Sequence, residues 1–86
     1  MISAILVDDE VNVRNLLRML LKEHCPDITV VAECSNLPEA VKSIRKDKPH
    51  LVFLDIEMPE HSGLDLLDFF NEEEIEFNII FTTAYS

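Results

Sequence analysis

The fold is decided by the stretch LVFLDIEMP, residues 51–59, in which four apolar residues run into an acidic turn that a proline closes. Three other short runs are almost continuously apolar, at residues 2–7, 29–32 and 77–81. None of the four shows the regular alternation of a strand with one solvent-facing side. The pattern therefore predicts four strands that are buried on both faces, as in a parallel sheet.

Segments with helical periodicity lie between these runs. The first helix is predicted to bury one apolar face, formed by Val13, Leu16, Leu17, Leu20 and Leu21. The second is predicted to begin at Asn36, a good N-cap, and to end before Pro49. Its apolar face consists of Leu37, Ala40, Val41 and Ile44. The third is predicted for about residues 62–71, with Leu64, Leu67 and Phe70 facing inward. This order, β-α-β-α-β-α-β, predicts a three-layer α/β fold with helices on both faces of a parallel sheet.

The composition fits one soluble globular domain, because 86 residues suffice for a single core and 48% of them are hydrophobic. Seventeen acidic residues against seven basic ones give a net charge of −10, which argues against nucleic-acid binding by this segment.

Cys25 and Cys34 lack the spacing of a zinc site and are predicted to stay reduced. No apolar run approaches the roughly 20 residues of a membrane span, and no basic region precedes the first strand. We therefore expect a cytoplasmic protein without membrane contact.

Acidic side chains follow two of the predicted strands. Asp8 and Asp9 come directly after the first run, and Asp55 after the third. Ligands of open parallel sheets bind beyond the carboxyl ends of the strands, where the strand order reverses. If strands one and three are neighbours, as in a flavodoxin-like sheet, the three carboxylates meet in one shallow cleft. With no basic residue beside them they would repel each other, and a divalent cation such as Mg²⁺ would remove that conflict. Thr83, after the fourth run, is placed to donate a hydrogen bond to a phosphoryl group transferred onto Asp55.

Each of these residues also has an ordinary structural interpretation. Asp8 or Asp9 could cap the first helix, whose positive end favours an acid. Asp55 could be a common loop residue at a strand end, and Gly63 could be only the turn into the third helix. Each residue alone is a weak signal, whereas their combination at successive strand ends is a specific one.

In combination, four segments of the chain resemble a known family. They are ILVDDE (residues 5–10), LDIEMP (54–59), SGL (62–64) and TTA (82–84). In this order the segments resemble the receiver domain of two-component response regulators. The run LDIEMP…SGLDLL is most similar to receivers that are attached to LytTR-type DNA-binding domains. The resemblance covers residues 1–86 and implies a flavodoxin-like (CheY-like) fold.

The resemblance also implies a function for particular residues. Asp55 would be the phosphoacceptor, phosphorylated by a sensor histidine kinase. Asp8, Asp9, Asp55 and the backbone carbonyl of Glu57 would bind Mg²⁺. Thr83 would supply the switch hydroxyl, and transcription would be controlled through an output domain outside this segment. The chain would then be a signalling module and not an enzyme with turnover.

The sequence departs from the family pattern at its end. A receiver normally continues after the fourth strand with a helix, a strand that ends in a lysine, and a final helix, and these 86 residues contain only the preceding part. We therefore expect the 86-residue chain to associate with itself through an exposed fourth strand. Two other functions stay open. One is a degenerate interaction module without phosphoryl switching; the other is a metal-dependent phosphohydrolase with Asp55 as nucleophile and Glu57 as acid-base group.

Overall fold

The structure is a computed structural model, which describes residues 1–82 of the chain. One parallel sheet has the strand order β2-β1-β3-β4. Its strands are β1 (Ile2–Val7), β2 (Ile28–Cys34), β3 (Leu51–Leu54) and β4 (Asn78–Phe81). The remaining elements are the helices α1 (Val11–His24) and α2 (Leu37–Asp47) and two 3₁₀ segments, Gly63–Phe69 and Glu72–Glu74. The predicted element order and α/β fold are therefore confirmed, with strands one and three as neighbours.

The sheet has a hydrophobic core on each face. The α2-side core holds buried residues from β1, α2 and β3, together with Leu66 and Phe77. The α1-side core is smaller and consists of Ala4, Leu6, Leu21 and Phe53 with their partly buried neighbours. Burying an aliphatic side chain stabilises a fold by about 1.5–3 kcal/mol. β1 contributes to both cores, which explains why its sequence does not alternate.

The helix α2 begins and ends as predicted. Its N-cap Asn36 accepts a hydrogen bond from the backbone N–H of Glu39 at 2.9 Å, an interaction that stabilises a helix by about 1 kcal/mol. Lys48 ends the helix in the left-handed conformation, with φ of 46°, and Pro49 follows it. The whole predicted apolar face is buried.

The apolar face predicted for α1 is only partly correct. Leu21 is buried and Leu17 packs against the α1-side core, but Leu16 is 58% exposed and Leu20 is 44% exposed. The helix α1 packs against β1 and β2, with Leu17 and Leu21 in the α1-side core, and Leu16 and Leu20 lie outside that core. No helix within residues 1–82 is long and apolar enough to cross a membrane.

The third predicted helix is a 3₁₀ helix, and its inner face differs from the prediction. Leu66 is fully buried, whereas Leu64 is 62% exposed and Leu67 is 43% exposed. A 3₁₀ helix repeats every three residues, so Gly63 and Leu66 share the buried side. The prediction is correct for Phe70, which packs edge-on against Phe77 with 5.4 Å between ring centroids.

A β-bulge interrupts the pairing of β1 with β2. Ala4 lies opposite Val30, but Ile5 lies opposite Ala32, so Val31 has no partner on β1. A bulge of this kind reverses which side of the sheet the following residues face. Val30 accordingly packs in the α1-side core and Ala32 in the α2-side core.

Candidate functional site

The acidic residues lie where β1 and β3 end side by side. Val7 pairs with Leu54 in the parallel ladder, and the backbone N–H of Asp55 donates to the carbonyl of Val7 at 3.0 Å. Parallel strands that are neighbours end at the same edge of a sheet, so Asp8 and Asp55 become adjacent although 46 residues separate them.

The structure brings Asp8, Asp9 and Asp55 together. One carboxylate oxygen from each lies within 4.8 Å of the other two. Asp8 is 7% exposed and Asp55 is 9% exposed, whereas Asp9 is open to solvent. Asp8 and Asp55 thus form the base of a shallow cleft, and Asp9 lies at its opening.

Local hydrogen bonds fix the two inner carboxylates. Asp8 Oδ1 accepts from the backbone N–H of Glu10 at 2.9 Å, and Asp55 Oδ1 accepts from the backbone N–H of Glu57 at 3.1 Å. The N-cap of α1 is Glu10, and no side chain caps that helix. The alternative that Asp8 or Asp9 caps α1 is therefore wrong, and the carboxylates keep oxygens that can face a ligand.

The surroundings of both inner carboxyls disfavour their charged form. Burial raises the pKa of Asp8 most, a hydrogen bond from Glu10 opposes it, and the charges of Asp55 and Asp9 raise it further. Burial likewise raises the pKa of Asp55, opposed by the N–H of Glu57, while the charges of Asp9, Glu57 and Glu10 add to the rise. A bound cation would offset the repulsion between the carboxylates, which adds to the effect of burial in both shifts.

Arg14 is a neighbour that the sequence did not reveal. The expectation that no basic residue lies beside the carboxylates is wrong, because Arg14 Nη1 donates to the carbonyl oxygen of Asp8 at 2.7 Å. The side chain of Arg14 is only 16% exposed, and its charge lowers the pKa of Asp8, as the last of the five effects on that group. Arg14 lies outside the apolar face that the sequence predicts for α1, and in the structure its side chain contacts both the loop after β1 and Glu33 of β2.

Gly63 packs directly against Asp55. Its backbone N–H donates to the carbonyl of Ile56 at 2.7 Å, and a Cβ atom built on Gly63 would overlap the carbonyl oxygen of Asp55. The φ angle of Gly63 is not positive, so close approach, and not a left-handed backbone, requires glycine here. Gly63 therefore does more than begin the third helix.

The remaining predicted residues lie around this cluster or outside the described part. Glu57 lies two residues after Asp55 and forms an isolated bridge with Ser62, and metal binding by its carbonyl stays a prediction. Thr83 lies outside residues 1–82, so its predicted role concerns a residue that the structure does not describe. His61 packs edge-on against Phe69 at 6.0 Å between ring centroids.

The cluster suits a hard divalent cation. Carboxylate oxygens are the ligands that Mg²⁺ prefers, and Mg²⁺ is typically held by one or two carboxylates and several waters. Asp8, Asp9 and Asp55 provide these oxygens, and both inner carboxyls are charged more easily when a cation offsets their repulsion. The residues present therefore fit Mg²⁺.

Fold and site together define an α/β module with an acidic cleft at its strand ends. The family model described as the response regulator receiver domain matches residues 4–86, and the chain belongs to this family. It is 46% identical over 85 residues to a response regulatory protein of Yersinia pestis, covering 99% of the chain and 35% of that protein. Identity is 41% with the transcriptional regulatory protein BtsR of Escherichia coli, with the same coverage. The chain thus spans about a third of the length of these relatives.

Solved structures confirm the CheY-like receiver fold. The response regulator TrrA of Thermotoga maritima, determined as a complex with Mg²⁺ and BeF, is 37% identical with a TM-score of 0.83, covering all of this chain and 72% of that one. A LuxR-family response regulator from Aurantimonas is 28% identical with a TM-score of 0.88, covering all of this chain and 61% of that one. These names support the receiver family, and they do not support the finer resemblance to LytTR-type regulators.

Proposed function

We propose that this chain is the phosphoacceptor module of a response regulator, in which Asp55 receives a phosphoryl group from a sensor histidine kinase. Mg²⁺ would be held by Asp8, Asp9, Asp55 and the backbone carbonyl of Glu57. The observation that carries the proposal is the meeting of three carboxylates within 4.8 Å at the ends of β1 and β3. Membership of the receiver family supports the same role.

The residues of the chain suit a transfer onto Asp55. An oxygen of its carboxylate attacks the phosphorus, the bond from phosphorus to the imidazole nitrogen of the donor breaks, and the electron pair stays on that nitrogen. The hydrogen bond from Glu57 to Oδ1 orients the carboxylate, and burial keeps competing water away from it. Mg²⁺, when bound, would offset the negative charge of the cleft and of the phosphoryl oxygens.

The biological context belongs to the same proposal. Response regulators act on signals from histidine kinases, and one relative is named as a transcriptional regulator, so we propose a cytoplasmic role in controlling transcription through an output domain. The type of that domain stays a prediction: residues 54–67 resemble LytTR-type receivers, whereas one solved relative is a LuxR-family regulator. Thr83 is proposed as the switch hydroxyl.

The test is phosphorylation by a small donor. The chain is incubated with acetyl phosphate and Mg²⁺ and weighed by intact mass spectrometry, with Asp55→Asn as the site variant and Asp65→Asn, an exposed aspartate elsewhere, as the matched control. We expect a gain of one phosphoryl group that needs Mg²⁺, survives in Asp65→Asn and is lost in Asp55→Asn. A folded chain that gains no mass would favour a degenerate interaction module. Continuous release of inorganic phosphate from a phosphate ester would favour a phosphohydrolase.

We also propose that the 86-residue chain associates with itself through β4. In the described sheet β4 is an edge strand, and Ile80 and Phe81 are 41% and 46% exposed. An exposed apolar edge invites pairing with another chain, and a lysine there opposes it. Sedimentation over a concentration series should show association that Ile80→Lys weakens. Val31→Lys is the matched control, because Val31 is equally exposed, at 41%, on the opposite edge strand β2. A monomer at all concentrations would contradict this proposal.

A further inference from the structure

We infer that Arg14 is a positioning residue for the metal-binding loop, and that Glu33 on β2 holds Arg14 in place. The inference deepens the proposed function and rests on it, because it concerns how Asp8 and Asp9 are oriented toward Mg²⁺. It assigns a role to two charged residues that do not belong to the carboxylate cluster.

The first step is the contact of Arg14 with the loop. Arg14 Nη1 donates to the carbonyl oxygen of Asp8 at 2.7 Å. This carbonyl belongs to the peptide bond that joins Asp8 to Asp9, and a peptide bond is planar. Holding the carbonyl therefore fixes the plane from which both metal-binding side chains project. The N–H of Asp8 is fixed as well, because it donates to the carbonyl of Cys34 at 3.0 Å.

The second step is the contact of Arg14 with β2. Glu33 has one carboxylate oxygen for each of two arginines: Oε1 lies 3.4 Å from Arg14 Nε, and Oε2 lies 2.6 Å from Arg18 Nη1. The guanidinium of Arg14 thus spans from a strand to the loop, which a planar group with several donors can do. Exposed ion pairs contribute little to stability, and the side chain of Glu33 is 25% exposed. Glu33 therefore matters because its ion pair orients the guanidinium of Arg14, and not because that pair stabilises the fold.

The bulge in β2 is what makes this contact available. Beyond Val31 the register is shifted by one residue, so Glu33 lies opposite Leu6, a residue of the α1-side core. With regular pairing throughout, Glu33 would lie opposite Val7 and point to the α2 side, away from Arg14. The contacts of Glu33 with the two arginines of α1 therefore depend on the bulge.

Two roles of Arg14 would have opposite effects on metal affinity. A positive charge beside the cleft repels a cation, so a purely electrostatic role predicts tighter Mg²⁺ binding when the charge is removed. A positioning role predicts weaker binding, because the loss of groups that orient metal ligands typically reduces affinity. The sign of the change separates these two roles.

The experiment is calorimetric titration of the chain with Mg²⁺. We expect Arg14→Met to bind about tenfold more weakly than the wild type. Arg14→Lys keeps the charge but not the planar guanidinium and should also bind more weakly, and so should Glu33→Gln. Arg45→Met is the matched control, because Arg45 also donates to a backbone carbonyl, that of Phe69 at 2.9 Å, and pairs with a glutamate, Glu74 at 3.1 Å. Its affinity for Mg²⁺ should equal that of the wild type.

The outcomes are distinct. Tighter binding by Arg14→Met, or equal affinities of all variants, would overturn the inference while leaving the proposed function intact. A wild type that does not bind Mg²⁺ would instead contradict the proposed function itself. If Arg14→Met fails to fold, Arg14→Lys decides, because it keeps the positive charge: an electrostatic role predicts unchanged affinity for Mg²⁺ and a positioning role predicts weaker binding. Wild-type affinity in Arg14→Lys would then count against the positioning role.

Discussion

Asp8 and Asp55 are held in the same way: each carboxylate accepts a hydrogen bond from the backbone N–H two residues further along the chain, at 2.9 Å and 3.1 Å. Their positions are thus set by the protein before any ligand arrives. Both are nearly buried, and the charge of Asp55 is one of the effects that raise the pKa of Asp8. In the protein without a cation, this arrangement disfavours the charged form of both carboxyls.

Replacing Asp55 by asparagine should stabilise the metal-free protein. Asparagine keeps the oxygen that accepts from Glu57 and removes a charge that burial and repulsion disfavour. At neutral pH we expect the free energy of unfolding to rise by about 1 kcal/mol. Urea unfolding followed by circular dichroism measures it.

The gain in the free energy of unfolding from Asp55→Asn should increase with pH. The pKa of Asp55 is raised above its ordinary 3.8 in the folded protein, so the folded state binds the proton more tightly than the unfolded chain. Its ionisation therefore destabilises the wild type increasingly as the pH rises through the raised pKa. The difference between Asp55→Asn and wild type should be smallest below pH 3.8, where the carboxyl is protonated in both states, and should grow as the pH rises from 3.8 through the raised pKa. Asp65→Asn is the control, and a difference for Asp55→Asn that does not change with pH would contradict the prediction.

Adding Mg²⁺ should reverse the order of stability. A ligand that binds only the folded state stabilises it by about 2.7 kcal/mol at a hundred times its Kd. The wild type should gain this amount, and Asp8→Asn and Asp55→Asn should gain much less because each lacks one of the clustered carboxylates. Thermal unfolding with and without Mg²⁺, at matched ionic strength set by NaCl, checks this. An equal gain in all three proteins would place the bound ion elsewhere.

Gly63→Ala should disturb Asp55. The added Cβ would overlap the carbonyl oxygen of Asp55, and relieving such crowding typically costs about 1–3 kcal/mol. Because the displaced backbone carries Asp55, we also expect weaker binding of Mg²⁺ in a calorimetric titration.

A neighbouring variant separates the two effects of Gly63→Ala. Ser62→Ala removes the hydrogen bond that Ser62 Oγ accepts from the N–H of Leu64 at 3.2 Å, which should cost about 1 kcal/mol. It leaves the contact of Gly63 with Asp55 in place, so its affinity for Mg²⁺ should be that of the wild type. Equal Mg²⁺ affinity in Gly63→Ala would show that the loop can move without shifting the acceptor.

Leu66→Ala and Leu64→Ala should differ strongly in stability. Leu66 is fully buried, and truncating a buried leucine costs about 2–5 kcal/mol. Leu64 is 62% exposed, and its truncation should change the free energy of unfolding by no more than about 0.5 kcal/mol. Chemical denaturation of both variants measures the contrast. Similar costs would mean that this segment is an α-helix with Leu64 facing the core.

The strand ends could be predicted from the sequence because the local signals there agree with the tertiary structure. A buried run followed by an acid indicates both a strand and the edge at which it ends. Asp8 therefore meets Asp55 once β1 and β3 are parallel neighbours. The helix α2 was predictable for the same reason, since cap, apolar face and proline all indicate one helix.

The structure differs from the predictions made from the sequence where tertiary packing determines which side chains are buried and which contacts form. The spacing of Leu16 and Leu20 is correct for a helix face, but it does not say how wide a stripe the sheet covers. The choice between a 3₁₀ and an α-helix changes which leucine is buried without any change in composition. Arg14 escaped notice because its contacts with Asp8 and Glu33 depend on how α1 packs against β2, which the spacing of residues along α1 does not specify.

The bulge at Val31 also bears on how the length of this strand can vary among related proteins. The ends of β2 are fixed by their partners, Ile28 opposite Ile2 and Cys34 opposite Val7, while Val31 between them is opposite no residue of β1. Deleting Val31 would convert the strand to regular pairing and leave Glu33 opposite Leu6. Inserting a second residue would instead require a wider distortion or turn Glu33 to the other side of the sheet. A strand one residue shorter is therefore compatible with the same contact between Glu33 and Arg14, whereas a longer one keeps it only with a wider distortion of β2.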